Sequence, residues 1–196
     1  MTATNQNMQI MSTDENDGMV NGIHMETLQG TVNAIAQEPD LGACKFRASN
    51  KWLGGTQNCT TITDFYGAKQ EMVHEQPFEL RADEPPILAG YDEGANPVEH
   101  LLNALAACVT TSMVAHAAVR GIRIEELESE LEGDLDLNGF LGLDEEVPKG
   151  FTDIRINFKV KADVDDLEKL KCLTAFSPVF NTLTQGANVE IRVERK

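Results

Sequence analysis

Cys108 is the side chain in this sequence best placed to do covalent chemistry. It lies within PVEHLLNALAACVTTSMVAHAAVR, residues 97–120, the longest apolar stretch of the chain. Glu99, His100 and His116 share that stretch, so a thiol, a carboxylate and two imidazoles ride on one predicted helix. Helical geometry decides which of them can meet. Glu99 precedes Cys108 by ~13.5 Å along the axis and about half a turn in angle. His100 and His116 are each two turns from the thiol, about 12 Å. None of the three can act on the thiol of its own helix. A site that used both Glu99 and Cys108 would take Glu99 from the antiparallel helix of a second copy.

A free thiol titrates near ~8.5 and is only a few per cent thiolate at neutral pH, so nucleophilic chemistry also needs a nearby cation. Arg47 and Arg81, from the segments before the helix, are the candidates. Without such help Cys108 would be a small buried hydrophobe. Thr111 and Ser112, one turn on, are expected to bond back to carbonyls of their own helix.

The other three cysteines, Cys44, Cys59 and Cys172, are widely scattered. With no CxxC and no cysteine–histidine cluster, neither a metal site nor a cofactor is expected. One motif points the other way: Asp134, Asp136, Asn138, Gly139 and Glu145 match the spacing of a calcium loop. That loop needs a helix leading into it, and the residues before Asp134 alternate with period two, so an acidic strand followed by an Asn-Gly turn is the expectation.

The chain has 196 residues with 32 acids and 16 bases, a net charge of −16. Unassisted binding to nucleic acid or to an anionic membrane is therefore not expected, because both need a basic surface. Residues 1–20 show neither a basic start nor an apolar run, so no signal peptide is expected; the protein is read as cytoplasmic, with reduced thiols. Glu99, His100, Asn103 and His116 make the long helix a core helix rather than a membrane span.

The elements around the helix follow from period and punctuation. Residues 1–22 are expected to be a flexible tail and 23–196 a single domain. Met25, Leu28, Val32 and Ile35 give a short helix over 24–37, stopped by Pro39. Strands over 43–53 and 57–66 flank Gly54-Gly55, and a third covers 70–81. Residues 82–96 have turn chemistry. Asn96, Pro97 and Glu99 mark the start of the long helix as cap, first position and capping box, and Gly121 marks its end. Residues 127–137 alternate strictly, with acids on one face; 152–161 alternate with Arg155, Lys159 and Lys161 on one face, so antiparallel pairing would set bases opposite acids. A helix over 165–176, a short helix capped by Ser177, and a strand over 187–194 (Val189, Ile191, Val193) complete the chain. Strands in antiparallel runs rather than βαβ units make the class α+β.

With the helix and its leader in hand, the sequence resembles the OsmC/Ohr family, the osmotically inducible and organic hydroperoxide resistance proteins. The resemblance is carried by DEPPILAGYDEGANPVEHLLNALAACVTTS, residues 83–112, and supported by GIRIEELESELEGDLDLNGFLG and FSPVFNTL. It implies a two-layer fold in which antiparallel sheets pack on a long buried central helix, within an intertwined homodimer. It also implies a thiol peroxidase acting on organic hydroperoxides in oxidative stress, with Cys108 as the reactive thiol and Glu99 as its carboxylate partner. Two family features are missing. Ser177 stands where the resolving cysteine would be, and Thr56 where an arginine follows the Gly-Gly turn. An external thiol reductant is then required, with Cys172 as the one other candidate for resolving. The alternative is a member of the fold that binds a small apolar ligand or senses redox state without catalysis.

Overall fold

The computed structural model describes residues 18–165 and 167–195. Order begins ahead of residue 23: β1 (Met19–Val20) pairs with β2 (Ile23–His24), so the expected tail overruns by the last few residues, and its remainder lies outside the described ones. The Asn21 side chain anchors this small hairpin, donating to the Ile122 carbonyl at 3.0 Å and accepting from the Ile124 amide at 2.8 Å. Helix α1 (Met25–Gln37) follows, with no residue buried.

The N-terminal sheet is an antiparallel meander: β4 (Ser49–Gly54), β5 (Gln57–Gly67) and β6 (Gln70–Ala82), with short β3 (Lys45–Phe46) continuing the edge of β4. Gly54 and Gly55 turn the first hairpin at φ 133° and 53°, conformations that side-chain-bearing residues rarely take. Trp52 closes that turn by donating its indole N–H to the Gly55 carbonyl at 2.9 Å.

Helix α2 (Pro97–Val119) starts as its sequence dictates: the Asn96 side chain accepts from the Glu99 amide and the Glu99 carboxylate accepts from the Asn96 amide, a complete capping box. By length and composition α2 would suffice to cross a membrane. In this fold its stripe Leu105, Val109, Met113 and Ala117 is buried, and it packs on β7 (Ile124–Asp134), α4 (Glu168–Leu173), the 3₁₀ turn Thr174–Phe176 and α5 (Pro178–Gln185). Met113, Ala117, Leu170 and Leu173 form the core cluster, closed by Leu127 of β7 and by Phe158 and Val160 of β8 (Asp153–Ala162). The register of β7 and β8 sets Glu126 opposite Lys161, Glu128 opposite Lys159 and Glu132 opposite Arg155. Bases face acids, as the two alternations require.

Four expectations need correction. The acidic strand ends at Asp134 rather than 137, because Asp136 turns its carboxylate onto the Asn138 amide at 2.8 Å and caps the short helix α3 (Leu137–Phe140). The helix expected over 165–176 is shorter, with α4 passing into the 3₁₀ turn at Thr174. Residues 187–194 form no strand; Val189, Ile191 and Val193 are 77%, 82% and 92% exposed. Alternation gives that segment an apolar face, but among the described residues it pairs with no strand of its own chain. Finally, only the sheet of β7 and β8 packs along α2. The N-terminal meander does not, and Phe46, Trp52, Val73 and Phe78 stand exposed.

Candidate functional site

Cys108 is a free thiol on α2, one position off the buried stripe, and half-exposed rather than buried. Among the described residues its sulfur makes no hydrogen bond. Glu99 is exposed at the first turn, where its carboxylate is committed to the capping box at 2.8 Å. As helical geometry requires, the single chain does not bring Glu99 to Cys108.

The two candidate cations fare differently. Arg47 bonds Asp64 at 2.6 Å and Glu71 at 2.7 Å; Glu71 and then Asp64 raise its pKa above the ordinary guanidinium value, and Arg47 in turn holds Glu71 below the usual carboxylate range. Its charge is paired within its own sheet. Arg81 lies at the end of β6 and is exposed, and among the described residues its guanidinium forms no ion pair. Its carbonyl stands 3.0 Å from His100 Nε2, so the strand end that carries Arg81 touches the first turn of α2.

Cys172 is exposed on α4 and lines an open cavity of about 410 Å³ with Arg120, Lys169 and Phe176. Arg120 follows the last turn of α2, about 18 Å along the axis from Cys108. Cys172 therefore belongs to the end of that helix and not to its middle, which argues against a resolving role, since a disulfide needs a close Cα pair. In the same region His116 stacks on Phe176 at 3.9 Å and Arg120 lies over the same ring. Burial and the neighbouring Arg120 push the His116 pKa down. Ser177 is fully buried, and its hydroxyl accepts from the Phe180 amide at 3.1 Å as the cap of α5.

Two apolar cavities run along the inner face of β8. One, of about 350 Å³, lies among Leu101, Leu105, Ile154, Phe180 and Leu183; the other, of about 480 Å³, among Val109, Met113, Ile156, Phe158 and Leu170. Val109, the residue after Cys108, lines the second; Cys108 itself lines neither. Among the described residues no cluster of three His, Cys, Asp or Glu side chains is placed to hold a metal ion. The calcium-loop residues are otherwise engaged: Asp134 pairs with Arg155 and Asp136 caps α3.

The residue that sequence reasoning missed is Asp83. It is 2% exposed and accepts from the Thr56 hydroxyl at 2.6 Å, the Glu84 amide at 2.8 Å and the Tyr91 amide at 3.1 Å. The Glu93 amide and the Gln57 side chain, each at 3.3 Å, complete the set. The Thr56 hydroxyl bond, with the amides behind it, holds the Asp83 carboxyl well below the usual carboxylate range against the opposing pull of burial. An aspartate opening a turn-rich loop before Pro85-Pro86 was the available signal, since such residues cap local backbone amides.

Comparison with known proteins places this geometry. No curated protein matches the chain. Among solved structures, an OsmC-like protein from Mycoplasma pneumoniae superposes with a TM-score of 0.54 at 18% identity, covering 71% of this chain and 87% of that one. An OsmC-like protein of unknown function from Vibrio cholerae gives 0.52 at 12% identity over 70% and 92%. A candidate osmotic stress induced and detoxification response protein from Psychrobacter arcticus gives 0.52 at 16% identity over 69% and 85%. At these identities the likeness is one of fold. The model of the OsmC-like protein family matches residues 90–192, a span that takes in Glu99, Cys108 and Ser177 and leaves out Arg47 and Arg81. That span is more than half of the sequence, and the chain belongs to the OsmC-like protein family.

Proposed function

We propose that this protein is a cytoplasmic, Cys108-dependent reductase of organic hydroperoxides that works as a homodimer and draws its electrons from an external thiol. The carrying observation is a half-exposed thiol, without a hydrogen bond among the described residues, on the long helix α2, one residue before Val109, which lines the second apolar cavity. The Cys108 thiolate attacks the terminal peroxide oxygen; the S–O bond forms, the O–O bond breaks, and the alkoxide leaves and takes up a proton to become the alcohol. The sulfenic acid then condenses with the first thiol of a dithiol reductant, releasing water. The second thiol displaces Cys108 and closes the disulfide on the reductant. Ser177 has no thiol to offer and Cys172 lies at the far end of the helix, so both electrons come from outside the chain.

The homodimer is supported by what the single chain leaves open. Among the described residues eight hydrophobic residues are buried while 21 large ones are exposed, a balance that asks for a second surface. A second copy laid over the N-terminal meander would bury that face. An antiparallel α2 from that copy would bring a second Glu99 toward Cys108.

Peroxide consumption with cumene hydroperoxide and a dithiol tests the reading, with Cys108→Ser as control. Loss of turnover in the variant supports it; equal rates sink it. The apolar cavities favour a second reading, a carrier of a small apolar ligand. Equal rates together with saturable binding of an apolar fluorophore, displaced by Val109→Trp, would select that one instead.

A further inference from the structure

The N-terminal meander has no extended packing on α2, so something other than a shared core must fix where it stands. Two connections do so at the end of β6. His100, in the first turn of α2, meets the Arg81 carbonyl. Two residues on, the Asp83 carboxylate gathers five donors. Thr56 and Gln57 reach it from the turn between β4 and β5; Glu84, Tyr91 and Glu93 reach it from the loop that leads into Asn96 and the capping box. Gln57 adds a bond to the Glu93 carboxylate at 2.9 Å. The backbone is closely packed here: a Cβ on Gly94 would come within 2.9 Å of the Arg81 carbonyl oxygen.

We propose that Asp83 is a positioning residue for the Cys108 site, pinning the β4–β5 turn and the α2 leader into one unit so that the meander is held in a fixed orientation to the helix. This rests on the reading of Cys108 as the reacting thiol. The chemistry of the pin is specific to a carboxylate. Oδ1 takes Thr56 and Glu84, while Oδ2 takes Gln57, Tyr91 and Glu93. An asparagine would fill one side and turn its NH₂ toward donors on the other. Thr56 stands where the family resemblance puts an arginine, and its hydroxyl is spent on this pin.

The test uses Asp83→Asn, with Thr56→Val as the milder variant that loses one of the bonds. Iodoacetamide labelling of Cys108 and Cys172 in the same sample, read by mass spectrometry, gives a rate ratio in which Cys172 on α4 is the internal control. With the pin released, the meander loses its fixed place over the second copy's α2 in the proposed dimer, so Cys108 becomes more open to the neutral alkylator and worse aligned for peroxide. Labelling of Cys108 relative to Cys172 rises about tenfold, while kcat/KM for cumene hydroperoxide falls by roughly as much, the scale of a small misplacement of reacting groups. Trp52, the sole tryptophan of the chain, bonds within the same turn and shifts its emission. General loosening would speed both cysteines together. An unchanged labelling ratio and unchanged Trp52 emission in folded Asp83→Asn or Thr56→Val overturns the pin. An absence of peroxidase activity in the unaltered protein overturns the reading of Cys108 and leaves the labelling ratio to decide on Asp83.

Discussion

The two main sheets among the described residues are built from strands of similar kind and meet different fates. β7 and β8 lay Leu127, Phe158 and Val160 onto α2 and α4 and turn their charges to solvent. The meander of β4, β5 and β6 folds as completely in its backbone, yet leaves Phe78, Leu80 and Trp52 exposed. Hydrogen bonding therefore does not distinguish them; the presence of an apolar partner does. A sheet with one uncovered apolar face is a half-built layer, and in the proposed dimer the missing half comes from the second copy.

The largest effect should come from the sheet that already has its partner. Leu170 is 1% exposed in the core cluster. Leu170→Ala is expected to cost about 2–5 kcal/mol, as large-to-small core changes do. Urea unfolding should show that loss equally at low and high protein concentration. Phe78→Ser, on the uncovered face, should behave otherwise. Burying a phenylalanine contributes about 1.5–3 kcal/mol, so the variant should weaken the dimer by about tenfold or more. Sedimentation velocity across a concentration series reads this directly. If Phe78→Ser leaves association untouched, the meander is not the dimer surface and the contrast between the sheets needs another cause.

How much of this contrast the sequence displayed depends on what each signal encodes. The start of α2 was legible to the residue, because Asn96, Pro97 and Glu99 are local instructions acting within one turn. The pairing of β7 with β8 was legible because two complementary alternations fit only one face-to-face arrangement. The segment 187–194 shows the limit: alternation specifies a face and leaves the neighbour unspecified. Cys108 stood out as the candidate thiol through the family pattern, while its half-exposure was not legible, since a mostly apolar stretch of 24 residues reads as a buried helix. Asp83 was illegible for a further reason. Its closest donor, Thr56, lies 27 residues upstream, and three of its bonds come from loop amides whose identity leaves no trace in the sequence.

Acid should probe the junction between the two regions. Because the folded-state pKa of Asp83 is depressed, the stability it contributes is fully present above the ordinary carboxylate value of ~3.9 and is lost as pH falls through the folded value. The melting temperature should therefore drop steeply in the acid range, and Asp83→Asn should flatten that limb while lowering stability at neutral pH. Thermal melts of the two proteins from neutral to acid pH decide it. Superimposable acid limbs would mean that the carboxylate is not ionised in its cage of donors.

The smallest effect is expected on the solvent face of the covered sheet, where the ion pairs are most numerous. Arg155 bonds Glu132 at 2.6 Å and Asp134 at 2.5 Å, and these contacts hold the Asp134 carboxyl below its usual range. The side chains of Arg155 and Asp134 are nonetheless 46% and 56% exposed, so water and salt compete for them. Arg155→Gln should shift the melting temperature by only about 1–2 °C, and the shift should vanish near ~1 M salt, where charges are screened within ~3 Å. A salt-independent loss as large as that of Leu170→Ala would reverse the ranking. It would make charge pairing across β7 and β8, rather than the apolar partner beneath them, the reason that this sheet is complete on its own.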